Sequence, residues 1–496
     1  MKRIYLLLSL AVLGLGSCTD ELDQKPISSS TTLTFYQTNN DFLQGVNAVY
    51  SNLRGYPDRV LNLSETRSDN IYGVSDGGVR DWDPINGFQS TLSSNPYLSE
   101  AWLSNYNGIF NANTVLEQLV KNGAVITDAS LKTRFEAEAK YLRAFYYFDL
   151  VRTFGKVPLI DHVVSQSEAM TIQRSAVADV YKLIISDLQF AAQNLPVSYA
   201  TAQVGRATNN AAKSLLALVY MTRSGPTYDI EGPGLGLNEW SQALTLLNEV
   251  VASGKYSMLA TYPSIFSYTN ENNAEVIFDV QYISGGINLG GTFPVTLAPD
   301  TYFTSNGLPT QTLTIRPISA DLLTSYGTAD ARRTFGIQTG YTANGAQETR
   351  SFYKKYIDIS KYGKSRTDWP INFIVMRYTD VLMMKAECIL KGGGGTTDEA
   401  ITIVNNVRKR AGLSAITSLT LNQLMEERRK EFAGEGLRWN DLVRSGLVTT
   451  VIPTWIAAED VLKQMKAFDK NYIIYAIPQS EIDVKTGLYT QNKGYN

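Results

Sequence analysis

The amino-acid sequence predicts an all-α protein in which helix pairs form a tetratricopeptide-like scaffold that carries long irregular insertions. Three observations support this prediction. Apolar residues recur at helical spacing in many segments, stretches rich in Gly, Asn, Pro and Ser separate those segments, and few runs alternate as strands do. No strict repeat of fixed length is visible, but helix pairs of this size are typical of degenerate tetratricopeptide units.

The helices are predicted from apolar positions that return every three or four residues. They begin near residue 40 and then cover about 99–121, 130–153, 176–194, 209–222, 239–253, 377–390, 397–411, 421–433 and 439–444. The helices over 130–153 and 377–390 are apolar on nearly every side, which predicts that they lie inside a layered assembly. A short strand is expected over 276–282, and β structure should otherwise be scarce.

Irregular insertions are predicted where Gly, Pro, Asn and Ser crowd the chain. They lie near 69–98, 224–236 and 284–312. We expect a single α-helical domain over residues 33–496 that carries all three insertions.

The N-terminal residues predict export and lipid attachment. Lys2 and Arg3 precede an apolar run over 4–15, and small residues stand directly before Cys18. This order predicts a signal peptide over 1–17, and its ending resembles a bacterial lipobox, in which the cysteine carries lipid. Such lipid chains hold a protein at a membrane through about 0.8 kcal/mol per buried methylene. Residues 18–32 then form a lipidated tether. The alternative is an ordinary secreted protein with a chance cysteine near its cleavage site.

Charge and composition argue against several classes of function. The 45 basic and 47 acidic residues show no long run of one sign, which argues against nucleic acid as a partner. The single histidine, His162, excludes clusters of His ligands and allows a His-based triad only around itself, and the sequence predicts neither a metal site nor a cofactor. If Cys18 carries lipid, Cys388 is the only other cysteine, so no intrachain disulfide can form.

Two acids on one predicted helix raise the question of catalysis. Asp380 and Glu387 share a helical face, whereas a glycosidase needs two carboxyls across a cleft. We prefer the interpretation that they pair with cations such as Arg408 and Arg410, because buried charges are tolerated chiefly when paired. The alternating charges over 426–444 predict a solvated or internally paired face. We therefore expect that the protein is not an enzyme.

The first insertion contains candidate ligand-binding residues, because it combines polar side chains with aromatic rings outside any apolar pattern. A sugar is recognised by an aromatic face against its C–H groups and by Asp, Asn or Arg at its hydroxyls. The predicted ligand-binding residues are Asp69, Asn70, Tyr72, Arg80 and Trp82, with Tyr282 and Tyr302 as candidates for an opposing wall. The alternative is that Trp82 packs onto its own scaffold.

Five separated segments resemble the signature segments of one family. They lie at 137–160, 376–390, 405–413, 427–446 and 477–495, and they include AEAKYLRAFYYFDLVRTFGKVPLI and ERRKEFAGEGLRWNDLVRSG. Their order is similar to that of the SusD/RagB family of nutrient-uptake lipoproteins. With the lipobox, the resemblance covers essentially the whole chain. The acids Asp20, Glu21 and Asp23 resemble the family's signal for export to the outer face.

The resemblance implies a lipoprotein of Bacteroidota that Cys18 anchors in the cell outer membrane, facing the exterior. It implies that the protein binds a nutrient oligosaccharide or polysaccharide and delivers it to a SusC-like TonB-dependent transporter, over which it acts as a lid. Family members that bind starch use Asp, Arg, Trp and Asn from the first long loop, a role open to Asp69, Arg80 and Trp82 here. The alternatives are a RagB-like lipoprotein for peptide uptake and, less in keeping with the sequence, a surface glycoside hydrolase.

Overall fold

The computed structural model describes residues 35–76, 78–309 and 314–495. The predicted signal peptide, Cys18 and the tether over 18–32 lie outside the described residues. The long helices are α1 (Asn39–Ser51), α2 (Pro96–Lys121), α3 (Ala129–Phe154), α4 (Val177–Asn194), α5 (Asn209–Arg223), α6 (Trp240–Ala252), α7 (Tyr378–Leu390), α8 (Thr397–Arg410), α9 (Leu421–Phe432), α10 (Arg438–Ser445) and α11 (Val448–Glu459).

The helices α1 to α8 form an array in which each helix packs against the next one along the chain. The most extensive contacts join α3 to its neighbours α2 and α4. Helix α7 packs against α6, although more than a hundred residues separate them in sequence. This arrangement confirms the predicted all-α, tetratricopeptide-like scaffold.

The strands are short. They are β1 (Val157–Pro158), β2 (Arg174–Ser175), β3 (Val276–Val280), β4 (Ile337–Gln338), β5 (Tyr341–Ala343), β6 (Ala346–Glu348), β7 (Phe352–Tyr353) and β8 (Phe373–Arg377). Within the described ranges they form four antiparallel pairs, β1 with β2, β3 with β8, β4 with β7 and β5 with β6. The chain leaves the helical array after α6 and returns to it at α7. The pair β3–β8 forms between these two points, so that it holds together the two ends of the intervening segment.

Short helical turns lie within the connecting segments. They are Asn52–Gly55, Tyr56–Val60, Leu61–Glu65, Gly73–Asp76, Asp83–Asn86, Gly123–Val125, Gln166–Ala169, Thr201–Gln203, Pro263–Phe266, Phe293–Val295, Asp300–Ser305, Ala320–Ser325, Ala331–Gly336, Ile359–Lys361, Lys470–Ile473 and Gln479–Asp483. The first and third predicted insertions therefore contain helical turns of their own.

Local sequence explains where α2 begins. The side chain of Asn95 accepts a hydrogen bond from the backbone N–H of Tyr97, and Pro96 occupies the first helical position. Proline is suited to this position because its missing N–H would have no partner inside the helix. The helix therefore starts three residues before the predicted position of 99.

The helices α3 and α7 are buried on most sides, as their sequences predict. In α3, Arg152 lies 3.8 Å from Asp149, which also accepts a bond from Arg59. In α7, Cys388 is fully buried, and burial raises the pKa of its thiol. Among the described residues, we find no helix that is both long and apolar enough to cross a bilayer.

Candidate functional site

Asp69 and Asn70 lie inside the molecule, where they hold arginines of α9 and α10. The carboxylate of Asp69 is 1% exposed and accepts two bonds from Arg438, at 2.8 and 2.7 Å. Burial raises the pKa of Asp69, but Arg429 and Arg438 lower it more, to about 2. The amide of Asn70 accepts a bond from Arg429 and donates one to Glu65. Both predicted ligand contacts thus have internal partners.

Tyr72 ties the first insertion to the end of α11. Its hydroxyl donates a 2.8 Å bond to the carboxylate of Asp460, and little of the side chain is exposed. Burial, followed by the bond to Asp460, raises the pKa of Tyr72 to about 12. The hydroxyl is therefore a neutral donor at physiological pH.

Trp82 is 4% exposed, and the guanidinium of Arg316 lies 4.1 Å from the centre of its ring. Arg316 is itself buried, and it donates to the side chain of Asn62 at 2.6 Å and to the hydroxyl of Tyr97 at 3.4 Å. Burial lowers the pKa of Arg316. The sequence prediction missed Arg316, whose only signal is a lone cation within the apolar run LTIRPI. This arginine joins the segment that follows the third insertion to the first insertion.

One exposed stretch of the first insertion lies just before Trp82. Val79 is 98% exposed and Arg80 is partly exposed, and the backbone N–H of Arg80 donates a 2.8 Å bond to Asp83. The side-chain amide of Asn95 donates a 2.7 Å hydrogen bond to the backbone carbonyl of Asp81. This hydrogen bonding fixes the backbone while the side chains of Val79 and Arg80 remain accessible.

Tyr282 and Tyr302 lie in different surroundings. Tyr282 is buried, and its hydroxyl donates a 2.5 Å bond to the carbonyl of Arg54. Tyr302 is partly exposed, and its ring centre lies 5.4 Å from that of Tyr341 on β5. Exposed hydroxyl and amide groups follow at Ser305 and Asn306. We call the rings of Tyr302 and Tyr341 the tyrosine wall, because they form a partly exposed aromatic surface beside polar groups.

The described contacts do not join the predicted residues into one site. Asp69 and Asn70 come together through Arg429. Within the described ranges, however, no hydrogen bond or ring contact links Trp82, Tyr282 and Tyr302 to one another. Their role in ligand binding stays a prediction.

The carboxylates of Asp380 and Glu387 are buried in ion pairs. Arg428 lies 2.8 Å from Asp380, and Arg444 lies 2.6 Å from Glu387. The expectation that acids of α7 pair with cations therefore holds, but the named partners were wrong, because α9 and α10 supply the arginines. The predicted partners Arg408 and Arg410 bind glutamates instead: Glu427 for Arg408, and Glu275 and Glu431 for Arg410.

The segment 426–444 is internally paired rather than solvated. Its arginines pair with buried carboxylates, and its glutamates Glu427, Glu431 and Glu435 belong to a buried network with cations from other parts of the chain. We define the arginine–carboxylate network as Glu275, Arg332, Lys355, Arg377, Arg410, Glu427, Glu431 and Glu435. The network joins distant parts of the chain and is buried, so its carboxylates face no open cleft. Removal of one partner would leave a buried charge unpaired.

His162 has both ring nitrogens beside carboxylates, with Asp161 at 2.8 Å and Glu168 at 2.9 Å. These hydrogen bonds raise its pKa, and the ring is exposed. In this arrangement neither nitrogen is open to take a proton from a nucleophile. Across the part of the chain that the structure describes, no group of three or more His, Cys, Asp or Glu side chains is placed to hold a metal ion.

Asp279 on β3 is a buried carboxyl with amide partners. The side chain of Asn372 donates to it at 3.1 Å, and that of Gln281 donates to its other oxygen. Burial raises the pKa of Asp279 to about 7, against the lowering effect of these bonds. A carboxyl whose pKa is raised on folding stabilises the folded state most at low pH.

We expect the free energy of unfolding to fall by up to about 1.4 kcal/mol per pH unit through Asp279 as pH rises from about 4 to about 7. Asp279→Asn removes this contribution, because the amide does not titrate and Gln281 can present its carbonyl to it. Urea unfolding between pH 4.5 and 8 measures the effect in both proteins. Parallel pH curves for the two proteins would show that Asp279 titrates normally in the folded state.

Two family models match the chain. One, the SusD family, matches residues 335–495. The other, described as starch-binding associating with outer membrane, matches residues 21–221. Together they include α1 to α4 and most of α5 near the N-terminus and α7 to α11 near the C-terminus.

Individual proteins are similar over most of the chain. A SusD-like protein from Bacteroides ovatus is 28% identical over 477 residues, which cover 89% of this chain and 82% of that protein. Surface glycan-binding protein A from Bacteroides thetaiotaomicron, solved in complex with laminarihexaose, matches with a TM-score of 0.78 at 24% identity, covering 92% of this chain and 100% of that one. A laminarin-binding SusD-like protein matches with a TM-score of 0.74 at 28% identity, covering 93% and 100%.

Proposed function

The chain belongs to the SusD family, and on this premise we propose that it is a surface lipoprotein that captures a nutrient glycan and delivers it to a SusC-like TonB-dependent transporter. Cys18 would carry the anchor in the outer membrane, and the helical array would act as a lid. The proposed binding of glycan is supported by the tyrosine wall and by the similarity to the laminarin-binding SusD-like protein.

The tyrosine wall suits a neutral sugar. Tyr302 and Tyr341 present partly exposed rings at nearly perpendicular planes, and the adjoining Ser305 and Asn306 are exposed. An aromatic face packs against the C–H groups of a pyranose, while hydroxyl and amide groups bond its hydroxyls. Among the predicted aromatic contacts, Tyr302 has the most accessible ring, because Tyr72, Trp82 and Tyr282 are buried.

We expect Tyr302→Ala and Tyr341→Ala each to weaken binding of laminarihexaose about five- to tenfold. The reason is that loss of an aromatic contact costs about 1–1.5 kcal/mol. Isothermal titration calorimetry of the purified protein measures this change. Tyr220→Ala is the matched control, because Tyr220 is a partly buried tyrosine on α5, away from the wall.

Binding and activity assays on the same proteins separate glycan binding from peptide uptake and from hydrolysis. A wild-type protein that binds none of a broad panel of glycans but binds peptides would overturn the glycan proposal in favour of peptide uptake. New reducing ends after incubation with laminarihexaose would identify a hydrolase instead. Equal affinities of the wild-type, Tyr302→Ala and Tyr341→Ala proteins would remove the tyrosine wall from the site.

A further inference from the structure

A cavity of about 550 Å³ lies on the side of the molecule formed by the C-terminal segment. Its walls come from Lys156, the residues 173–174, the residues 229–231 of the second insertion, the turn near 471–474 and the segment between 487 and 493. This volume is typical of pockets that hold a small ligand. The cavity shares no lining residue with the tyrosine wall or with Trp82.

Arg174 in this cavity has only neutral hydrogen-bond partners. It donates to the carbonyls of Lys156 and Thr490, at 2.8 and 2.7 Å, and to the side-chain oxygen of Asn492 at 2.5 Å. Within the described ranges, no carboxylate lies within 4 Å of its guanidinium. A guanidinium has five N–H donors, so two of them remain for a ligand. Burial lowers the pKa of Arg174 to about 10, although the charge of Glu231 acts in the opposite direction.

The other charges of the cavity leave it positive. The described lining has two carboxylates, Asp229 and Glu231, against three cations, and Asp229 also lies 2.8 Å from Lys470, which is not a lining residue. Lys156 lies 3.9 Å from Glu231, at the outer limit of an ion pair, and the side chain of Glu231 is exposed, so this pair is weak. Lys493 adds a third cation to the lining, together with Lys156 and Arg174.

The remaining lining is suited to a polar ligand that is held by charge rather than by ring stacking. None of the described lining side chains is aromatic, whereas Gln173 and Asn471 line the cavity with amides and the amide of Gln491 is bonded to the backbone of Ile477. The side-chain oxygen of Asn471 is buried without a partner among the described residues. A neutral sugar would therefore lack a stacking face here.

We propose that this cavity is a second binding site, for a small ligand that carries a carboxylate. The carboxylate lies against the two remaining donors of Arg174, and Lys156 and Lys493 add attraction at the rim. A uronic-acid saccharide and an acidic peptide both supply this group. The site is separate from the glycan surface proposed above, and neither site depends on the other.

Calorimetry with trigalacturonate, the neutral trisaccharide maltotriose and the tripeptide Gly-Gly-Asp tests the proposal on the intact protein. We expect an acidic probe to bind more tightly than maltotriose and to weaken as NaCl is added. Lys156→Ala and Lys493→Ala should each weaken binding of the acidic probe roughly two- to fivefold. Lys182→Ala, an exposed lysine on α4, should have no effect.

Arg174→Lys should weaken the acidic probe more than tenfold, because lysine cannot offer two parallel donors. Arg174 also holds two segments together, so urea unfolding of the Arg174→Lys protein is measured alongside. If that variant fails to fold, Lys156→Ala and Lys493→Ala still test the proposal. Preference for trigalacturonate or for the peptide identifies the source of the carboxylate. Failure of both acidic probes to bind, or equal affinity for maltotriose, overturns the proposal.

Discussion

Arg377→Ala is expected to lower the free energy of unfolding by about 3–5 kcal/mol, since it leaves buried carboxylates without a shared cation. Arg377 is 1% exposed and contacts three acids: Glu275 at 3.0 Å, Glu431 at 2.8 Å and Glu435 at 2.9 Å. Its guanidinium also lies 4.2 Å from the ring centre of Phe432. Urea unfolding followed by circular dichroism measures the loss.

Acid unfolding gives a second measure of the same variant. Burial raises the pKa of Glu431, but Arg410, Arg377 and Arg332 lower it more, to about 2. A depressed carboxyl pKa contributes stability above its unfolded value, near 4.3, and that stability is lost as pH falls toward 2. Without Arg377 the pKa of Glu431 should rise toward its unfolded value, so the loss of stability through Glu431 should be smaller and should be complete at a higher pH.

Controls distinguish this network from ordinary surface pairs. Arg377→Lys keeps the charge but cannot serve three carboxylates with a planar fork, so it should be intermediate. Lys182→Ala removes an exposed pair with Asp179 and should leave stability unchanged within error. If Arg377→Ala were as mild as Lys182→Ala, the network would contribute little to folding.

Trp82→Ala is expected to destabilise the protein by about 3–5 kcal/mol, because it empties a buried site beneath Arg316. Trp82→Phe should cost less, since it keeps a ring and removes an indole N–H that has no partner among the described residues. Urea unfolding of both variants measures the difference.

The same two variants decide between packing and ligand contact for Trp82. If Trp82 only supports the loop, folded Trp82→Phe protein should bind laminarihexaose as the wild type does. Lost binding in Trp82→Ala protein of unchanged stability would contradict the buried position and favour a direct contact with sugar.

Much of the helical scaffold could be predicted, because its signals are local. The helices over 177–194 and 378–390 begin and end within a residue or so of the positions that apolar spacing gives. Helix α11 was missed because Pro453 lies inside it, and proline normally interrupts a helix. Strand β8 was missed because the five residues FIVMR are too few for spacing to distinguish a strand from a helix.

The candidate site was harder to predict, because its side chains are placed by contacts between distant segments. Arg316 donates a hydrogen bond to Asn62, which lies 254 positions earlier in the chain. Asp69 resembles a ligand contact in sequence, yet Arg438, 369 positions away, holds it in the interior. The spacing of charges within one segment carries no information about such partners.

The buried position of Cys388 makes the molecule convenient for attaching probes. A thiol reacts as its thiolate, and the raised pKa and full burial of Cys388 suppress that form. In a version of the chain that begins after Cys18, a new cysteine at Val79, which is 98% exposed, would be the one site that takes up a maleimide dye. Fluorescence distances between the first insertion and a labelled partner could then be measured without removing a native thiol.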